Sequence, residues 1–497
     1  MDDRSGSLTS PGAEADAPRA VGPVTRPGRT PAAPWRLARP PRGAALRQSL
    51  TPARLLVLSF LGLIALGTVG FMVLPGLYIG EPLSWVDALF TATSAVCVTG
   101  LIVVDTATYF TTAGQAYVLL LIQLGGLGIL TFTTLLILAL GRRLSLRHEA
   151  VTTTATDIAP EVDFRHLVRN VVRFTLAFEA VGALLLFIAW LPRFDPTTAA
   201  WNAVFQAVSA FCNAGFSTFS DSMMGFQGSP VTLLCICGLV VLGGLGFLTI
   251  EELHLWWKRT RRGAAFRLSL HSRLALTVTT TVLVGGWVGY AALEWTNTLA
   301  QMPVWQRVLD ALFTSVTTRT AGFNVIDHSI AADSTNFLTI LLMSIGGSPG
   351  STAGGLKTTT VAVIGLLAWA RLRGRTVTSV WGRTIPGETV QRAVGLFVVG
   401  FGMVTAAILL YAMIHVQPVD APAPSHFLRY MFEAASAFNT VGLSMGATGE
   451  LETPGKLLTV FLMYVGRVGP LTFASAIALR RELKDEFRYA YEDVIIG

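Results

Sequence analysis

From about residue 55 onward the chain alternates two kinds of segment when it is read as apolar and polar positions. Long apolar runs occupy 55–74, 170–191, 274–293 and 393–414. Each is close to the roughly 20 residues that carry a helix across the hydrocarbon core of a bilayer. A shorter, half-apolar segment rich in Ala, Ser, Thr and Phe follows each of them: ALFTATSAVCVTGL (88–101), AVFQAVSAFCNAGF (203–216), ALFTSVTTRTAGF (311–323) and YMFEAASAFNTVGL (430–443). A second long apolar run comes next, at 115–140, 231–250, 336–370 with an interruption, and 456–479. About a dozen residues are too few to span a bilayer, so the short segments are predicted to enter the membrane and return on the same side.

The repeats stay in register. Each short segment ends in a small residue or Val, then Gly, then Leu or Phe, and the glycines Gly100, Gly215, Gly322 and Gly442 are 115, 107 and 120 residues apart. A second glycine mark recurs in the following helix: GGLG at 125–128 and 243–246, IGGSPG at 345–350, GRVG at 466–469. Its first glycine falls 25, 28, 24 and 24 residues after the turn glycine. One Val-Gly-Leu carries no information; four copies with a second mark in step do. Phe90, Phe205 and Phe432 lie ten residues before their glycine but Phe313 lies nine before Gly322, so the third strand is not expected to be strictly equivalent.

Non-helical backbone at membrane depth is tolerated only where it is buried in protein or lines a wet cavity. Four re-entrant turns meeting on one axis satisfy that condition. Carbonyls aimed inward there replace a cation's hydration shell, and glycine permits the backbone angles this needs. The short helices would also point the negative ends of their dipoles at the centre. The candidate ion-binding residues are Val98, Thr99 and Gly100; Asn213, Ala214 and Gly215; Thr320, Ala321 and Gly322; and Thr440, Val441 and Gly442. Close helix packing by small residues is the competing account, but it does not require a shared turn. The expected fold is an all-α polytopic membrane protein with four tandem helix–pore loop–helix repeats around a central ion pore.

Composition agrees: 13% of residues are charged and the mean hydropathy is +0.57, against about a quarter charged in soluble domains. The net charge of +7 suggests nucleic acid until its distribution is seen. Basic clusters sit at 141–149, 258–273 and 371–383, whereas the loops 75–84, 295–306 and 415–426 contain no Lys or Arg. That asymmetry places the basic loops and both termini in the cytosol and the mouths of the short segments outside. No nucleic-acid partner is expected. Residues 1–54, rich in Arg, Pro, Ala and Gly, read as a disordered cytosolic tail rather than a secretory signal. Cys97, Cys212, Cys235 and Cys237 lie in apolar segments without clustered ligands, so they read as small buried hydrophobes.

The interruption IGGSPGSTAGGLKTT (345–359) breaks an apolar helix. It is not a phosphate loop, because Leu356 separates Gly355 from Lys357 and no strand precedes it. Nor is it a nucleophile site: Ser348 and Ser351 lack an adjacent base, and the seven histidines fall in loops or at helix ends. No enzyme is indicated. An unwound loop between two half-helices remains.

TRTAGF (318–323), GSTAGGLKTTT (350–360), GRVGPLT (466–472) and YEDVIIG (491–497) resemble the Trk/Ktr/HKT potassium transporter superfamily. They are most similar to its KtrB branch, the membrane subunits of bacterial Ktr uptake systems. The resemblance spans roughly 50–497 and implies a potassium channel or transporter in the cell membrane, with K+ bound at the twelve filter residues. All four filter positions are Gly; in the plant HKT branch of that superfamily a Ser at the first position goes with Na+ preference, so the resemblance makes Gly100 favour K+. The resemblance further implies a homodimer with one pore per subunit, a cytosolic KtrA-type ring that binds ATP or ADP, surrounding membrane lipids, and Na+ as an activator, with no organic cofactor. It makes Gly346, Gly347, Ser348, Pro349, Gly350, Ser351, Thr352, Ala353, Gly354, Gly355, Leu356 and Lys357 an intramembrane gate, with Arg467 at the constriction. Lys357 either repels cations or snorkels to the cytosolic interface. Arg467 raises the barrier for a cation, anchors on carbonyls of the loop, or does both. Glu179 reads as a paired structural charge facing the bundle interior. The expected organisation is a tail (1–50), repeats at 51–140, 141–255, 256–375 and 376–480, and a cytosolic tail (481–497). A Na+- or H+-coupled alternating-access transporter of the TrkH kind is the alternative.

Overall fold

The computed structural model describes residues 52–149, 164–263, 267–414 and 426–477. The tails expected at 1–50 and 481–497 lie outside the described residues.

The first repeat comprises α1 (Pro52–Val73), the re-entrant α2 (Trp85–Val96), a single turn α3 (Thr106–Tyr109) and α4 (Thr112–Glu149). The second comprises α5 (Phe164–Trp190), the re-entrant α6 (Pro196–Cys212), α7 (Pro230–Leu245) and α8 (Phe247–Thr260). The third has α9 (Leu270–Glu294), the re-entrant α10 (Val304–Thr317), α11 (Asp333–Met343) and α12 (Thr358–Leu372). A small antiparallel hairpin, β1 (Ser379–Val380) and β2 (Arg383–Thr384), leads to the fourth: α13 (Gly387–Ile414), the re-entrant α14 (His426–Phe438), α15 (Thr453–Val468) and α16 (Pro470–Ile477).

Among the described residues, five helices are long and apolar enough to cross a membrane in one piece: 53–73, 112–131, 168–190, 270–294 and 387–414. Their outer faces carry exposed apolar side chains such as Leu66, Val69 and Val73 in α1 and Phe401, Leu409 and Met413 in α13. Lipid would cover these faces in a multi-pass membrane protein. The re-entrant helices are the reverse: Ala88, Phe90, Ala92, Thr93, Ser94, Ala95 and Val96 of α2 are all buried. Two of them start on side-chain caps. Ser84 Oγ accepts from Asp87 N at 3.2 Å, and Asp195 Oδ2 accepts from Thr198 N at 3.0 Å with Pro196 opening the first turn.

Two expected spans are not continuous. The runs 231–250 and 456–479 each break at the last glycine of their mark, Gly246 (φ 83°) and Gly469 (φ 92°). These left-handed angles end an α-helix, and Pro470 could not continue α15 in any case. The bend between α7 and α8 is 101°. In the third repeat the break widens to the whole loop between α11 and α12, as the sequence indicated. Only α4 passes through its GGLG unbroken.

The first glycine of the mark has a physical purpose in three repeats. A Cβ on Gly125, Gly243 or Gly466 would collide with the carbonyl oxygen of Val96, Phe211 or Phe438, each four residues before its turn glycine. The mark therefore lets the second helix lie against the end of its own re-entrant helix. Contacts between repeats close the circle. Met223 N donates to Asn324 O at 2.9 Å, and α11 packs on α14. Lys456 Nζ meets Asp87 Oδ1 at 2.6 Å, and Tyr464 Oη donates to Val57 O at 2.7 Å.

Candidate functional site

All four turns share one backbone signature. The first residue of each triple, Val98, Asn213, Thr320 and Thr440, is left-handed at φ 56°, 59°, 66° and 51°. The glycines follow at φ 90°, 71°, 81° and 95°. A left-handed non-glycine costs on the order of 1–3 kcal/mol, and β-branched Val98 and the two threonines pay the steeper end. Hydrogen bonds from the re-entrant helices hold this geometry. In repeats one, two and four, Thr99 N, Ala214 N and Val441 N reach back five residues to Ser94 O, Ser209 O and Ser436 O at 2.8, 2.7 and 2.9 Å. The same serines act again through their hydroxyls: Ser94 and Ser436 accept from Gly100 N and Gly442 N at 3.1 Å each, and Ser209 donates to Phe216 O at 2.7 Å.

The third repeat departs here, as its shorter segment implied. Ala321 N bonds Thr317 O, only four residues back, at 2.9 Å, and Val316 stands six before the glycine where the others have serine. The non-equivalence is thus upstream of the triple, whose own φ pattern is preserved.

The glycines form a closed ring. A Cβ on Gly100 would strike Ala214 O; on Gly215, Ala321 O at 2.8 Å; on Gly322, Val441 O at 2.5 Å; and on Gly442, Thr99 O. Each repeat thus abuts the carbonyl of the next, and the fourth returns to the first. Four carbonyls, those of Thr99, Ala214, Ala321 and Val441, are gathered around one axis where no side chain larger than hydrogen fits. The hydroxyls of Thr99, Thr320 and Thr440 are buried with no protein partner. Such a concentration of oxygen suits a dehydrated monovalent cation.

On one side the ring opens into a cavity of about 330 Å³ lined by all four glycines and by Asp105, Asp221 and Asp327. On the other side lies the 346–357 loop. Ser348 N and Thr352 N donate to Gly244 O and Gly243 O at 2.9 and 3.2 Å, and Phe247 N donates to Gly350 O at 2.9 Å. Gly354 and Gly355 pack against Thr440 and Asn439 so closely that a Cβ on either would overlap them. The loop is therefore bound to the second repeat and pressed under the fourth. Most of it is buried, with Pro349, Gly355, Leu356 and Lys357 half-buried.

Three cations from three places grip this loop by its carbonyls. Arg319 Nη2 donates to Gly346 O at 3.1 Å, Lys357 Nζ to Ala353 O at 2.5 Å, and Arg467 Nη1 to Thr352 O. Arg467 Nη1 thus meets a loop carbonyl, while its Nε and Nη2 are buried with no protein partner. Lys357 is turned back on its own loop rather than reaching away from it. Both line a cavity of about 180 Å³ under the loop, together with Gly466 and Gly469. Glu179 is buried but its partners are not cationic. Gln123 Nε2 donates to it at 3.1 Å, and Cys212 Sγ lies 3.8 Å away. Cys97 and Cys237 are buried and Cys235 is half-buried, and among the described residues no cluster could hold a resident metal.

Some polar groups of the site escaped the sequence reading. Gln206 Nε2 donates to Ser217 Oγ at 2.7 Å, and Glu433 accepts from Ser444 Oγ and, at 2.7 Å, from Thr448 Oγ1. Gln206 and Glu433 occupy the same register, nine residues before their glycine, and each ties the strand leaving the ring to the helix entering it. Aligning the four segments on glycine would have exposed the pair. The three aspartates of the cavity over the glycines had no such signal, since they lie in loops of unlike sequence.

The TrkH family profile, described as a cation transport protein, matches residues 72–486. Ktr system potassium uptake protein B of Vibrio alginolyticus is 38% identical over 446 residues, covering 89% of this chain and 94% of that protein. The Bacillus subtilis protein of the same name is 36% identical, over 90% and 97% of the two chains. Potassium/sodium uptake protein NtpJ of Enterococcus hirae is 34% identical over 91% and 98%. Among solved structures, the potassium transporter TrkH from Vibrio parahaemolyticus superposes with a TM-score of 0.68 over 86% of each chain. At 18% identity that last likeness speaks for the fold alone.

Proposed function

The chain belongs to the TrkH family of cation transport proteins, and from that premise we propose that it is a Ktr-type membrane subunit that takes up K+ across the cytoplasmic membrane. The closed ring of Thr99, Ala214, Ala321 and Val441 carbonyls carries this reading, because it offers a bare cation four oxygens on one axis. K+ sheds water there and passes inward, gaining about 2.3 kcal/mol per 100 mV of membrane potential. Uptake then needs no ATPase site in this chain. The names of the relatives in Vibrio alginolyticus and Bacillus subtilis support potassium as the cargo.

In this reading the 346–357 loop is the gate. It crosses beneath the ring, and three cationic side chains hold it by its carbonyls. Arg467 has two effects from one position: it anchors the loop and adds positive charge to the cation's route. A subunit of this kind acts as a homodimer with both termini cytosolic. A cytosolic KtrA-type ring binding ATP or ADP releases the loop, and Na+ serves as activator. Four repeats in a cyclic ring, rather than two inverted halves, favour a gated pore over alternating access.

Uptake of 86Rb+ and 22Na+ into proteoliposomes tests this directly. Wild type is expected to pass Rb+ well ahead of Na+, and both a deletion within 347–355 and Arg467→Ala are expected to raise flux. Loss of flux in both variants, or equal passage of Na+, would place the loop in a transport site and end the channel reading.

A further inference from the structure

Helix α8 leaves α7 at 101°, so beside a membrane-spanning α7 its axis runs along the membrane plane. It reads FLTIEELHLWWKRT and is followed by Arg261 and Arg262. Leu255, Trp256 and Trp257 are exposed, and so are Lys258, Arg259, Arg261 and Arg262. The Arg261 guanidinium lies 3.9 Å over the Trp257 ring. Exposed indoles beside a block of basic residues suit the headgroup layer, where an indole is half-buried and a cation meets lipid phosphate. Of the two carboxylates on α8, Glu252 accepts from Ser269 N and Oγ at 3.1 and 3.0 Å, and Glu251 is half-buried, so the exposed charge is positive.

The other end of α8 touches the loop. Phe247 N donates to Gly350 O at 2.9 Å, and a Cβ on Gly246 would come within 2.6 Å of Pro349 O. Whatever moves α8 therefore pulls on the middle of 346–357.

We propose that α8 is an interfacial arm that binds the anionic headgroup surface of the cytosolic leaflet and, through Gly350, holds the 346–357 loop in place. The loop half of this statement rests on the gate reading above; the lipid half does not. Each basic residue near an anionic surface strengthens its membrane partition about fivefold, so three charges are enough to decide where the arm sits.

The test uses the full chain with Leu255→Cys carrying a nitroxide, with and without K258E/R261E/R262E. Vesicles are of phosphatidylcholine alone or of equal parts phosphatidylcholine and phosphatidylglycerol. In the mixed vesicles the label should collide with oxygen and be shielded from a water-soluble nickel chelate, and the charge-reversed variant should lose that shielding. Rb+ flux of wild type should be at least about fivefold lower in mixed vesicles than in phosphatidylcholine alone, whereas the variant should be equally fast in both. A label open to nickel in both lipids would mean that the helix stands in water, as an arm for a protein partner would, and would overturn the lipid surface. Shielding with flux indifferent to phosphatidylglycerol would overturn the link to the loop. If no preparation conducts, the uptake reading fails, while the label still decides where α8 lies.

Discussion

Replacing Gly215 by alanine probes the carbonyl ring at its most measurable point. The new Cβ would lie 2.8 Å from Ala321 O, 3.0 Å from Gly322 Cα and 3.2 Å from the Gly322 carbonyl carbon. Ordinary contact begins at 3.4 Å, so the Ala321 carbonyl must retreat by 3.4 − 2.8 = 0.6 Å. It cannot do so freely, because Ala321 N is tied to Thr317 O at 2.9 Å. Alanine at φ 71° adds a further cost of about 1–2 kcal/mol, and overpacking adds about 1–3 kcal/mol. If about 1.5–3 kcal/mol of this appears as a barrier to the ion, flux falls roughly ten- to hundred-fold. The assay is Rb+ and Na+ uptake into proteoliposomes, with Gly449→Ala as control, since Gly449 lines the same cavity as the four turn glycines but has nothing within 4 Å of a new Cβ. A folded Gly215→Ala protein whose flux and Rb+ over Na+ preference stay within twofold of wild type would refute the carbonyl ring.

Three further outcomes follow from the same geometry. Ser436→Ala deprives Gly442 N of its 3.1 Å partner; at about 1 kcal/mol per lost hydrogen bond the K+ over Na+ preference should drop roughly fivefold, and an unchanged ratio measured by competition would deny Ser436 a part in the filter. Changing Asp105, Asp221 and Asp327 together to Asn should slow uptake several-fold at low ionic strength. The difference should vanish near 1 M salt, where the Debye length is about 3 Å; a deficit that persists at high salt would point to damage rather than cation attraction. Lys456→Met breaks the 2.6 Å pair to Asp87, which joins the fourth repeat to the first. Both partners are partly exposed, so detergent-solubilised protein should lose about 1 kcal/mol of stability without change in selectivity.

Much of this was legible in the chain because it is local and repeated. An apolar run of membrane length, a short Ala/Ser/Thr/Phe segment and a glycine in fixed register are properties of neighbouring residues, and a fourfold pattern averages out accident. They determined the helical class, the four turns, the third-repeat irregularity and the interruption at 345–359. The break at Gly246 was not readable, since the same GGLG runs straight through α4, whereas Pro470 directly after Gly469 marks the end of α15 in the chain itself. Whether such a glycine bends depends on what its helix must avoid. The tertiary structure alone decided which carbonyl each turn glycine faces, because residues 99 and 442 are brought together only when the ring closes. It also decided that Arg319, Lys357 and Arg467 converge on one loop, that Glu179 meets an amide and a thiol, and that three unlike loops supply the aspartates of the cavity over the glycines. Periodicity records which face a residue shows to the membrane; only the packed fold records what it meets on the other side.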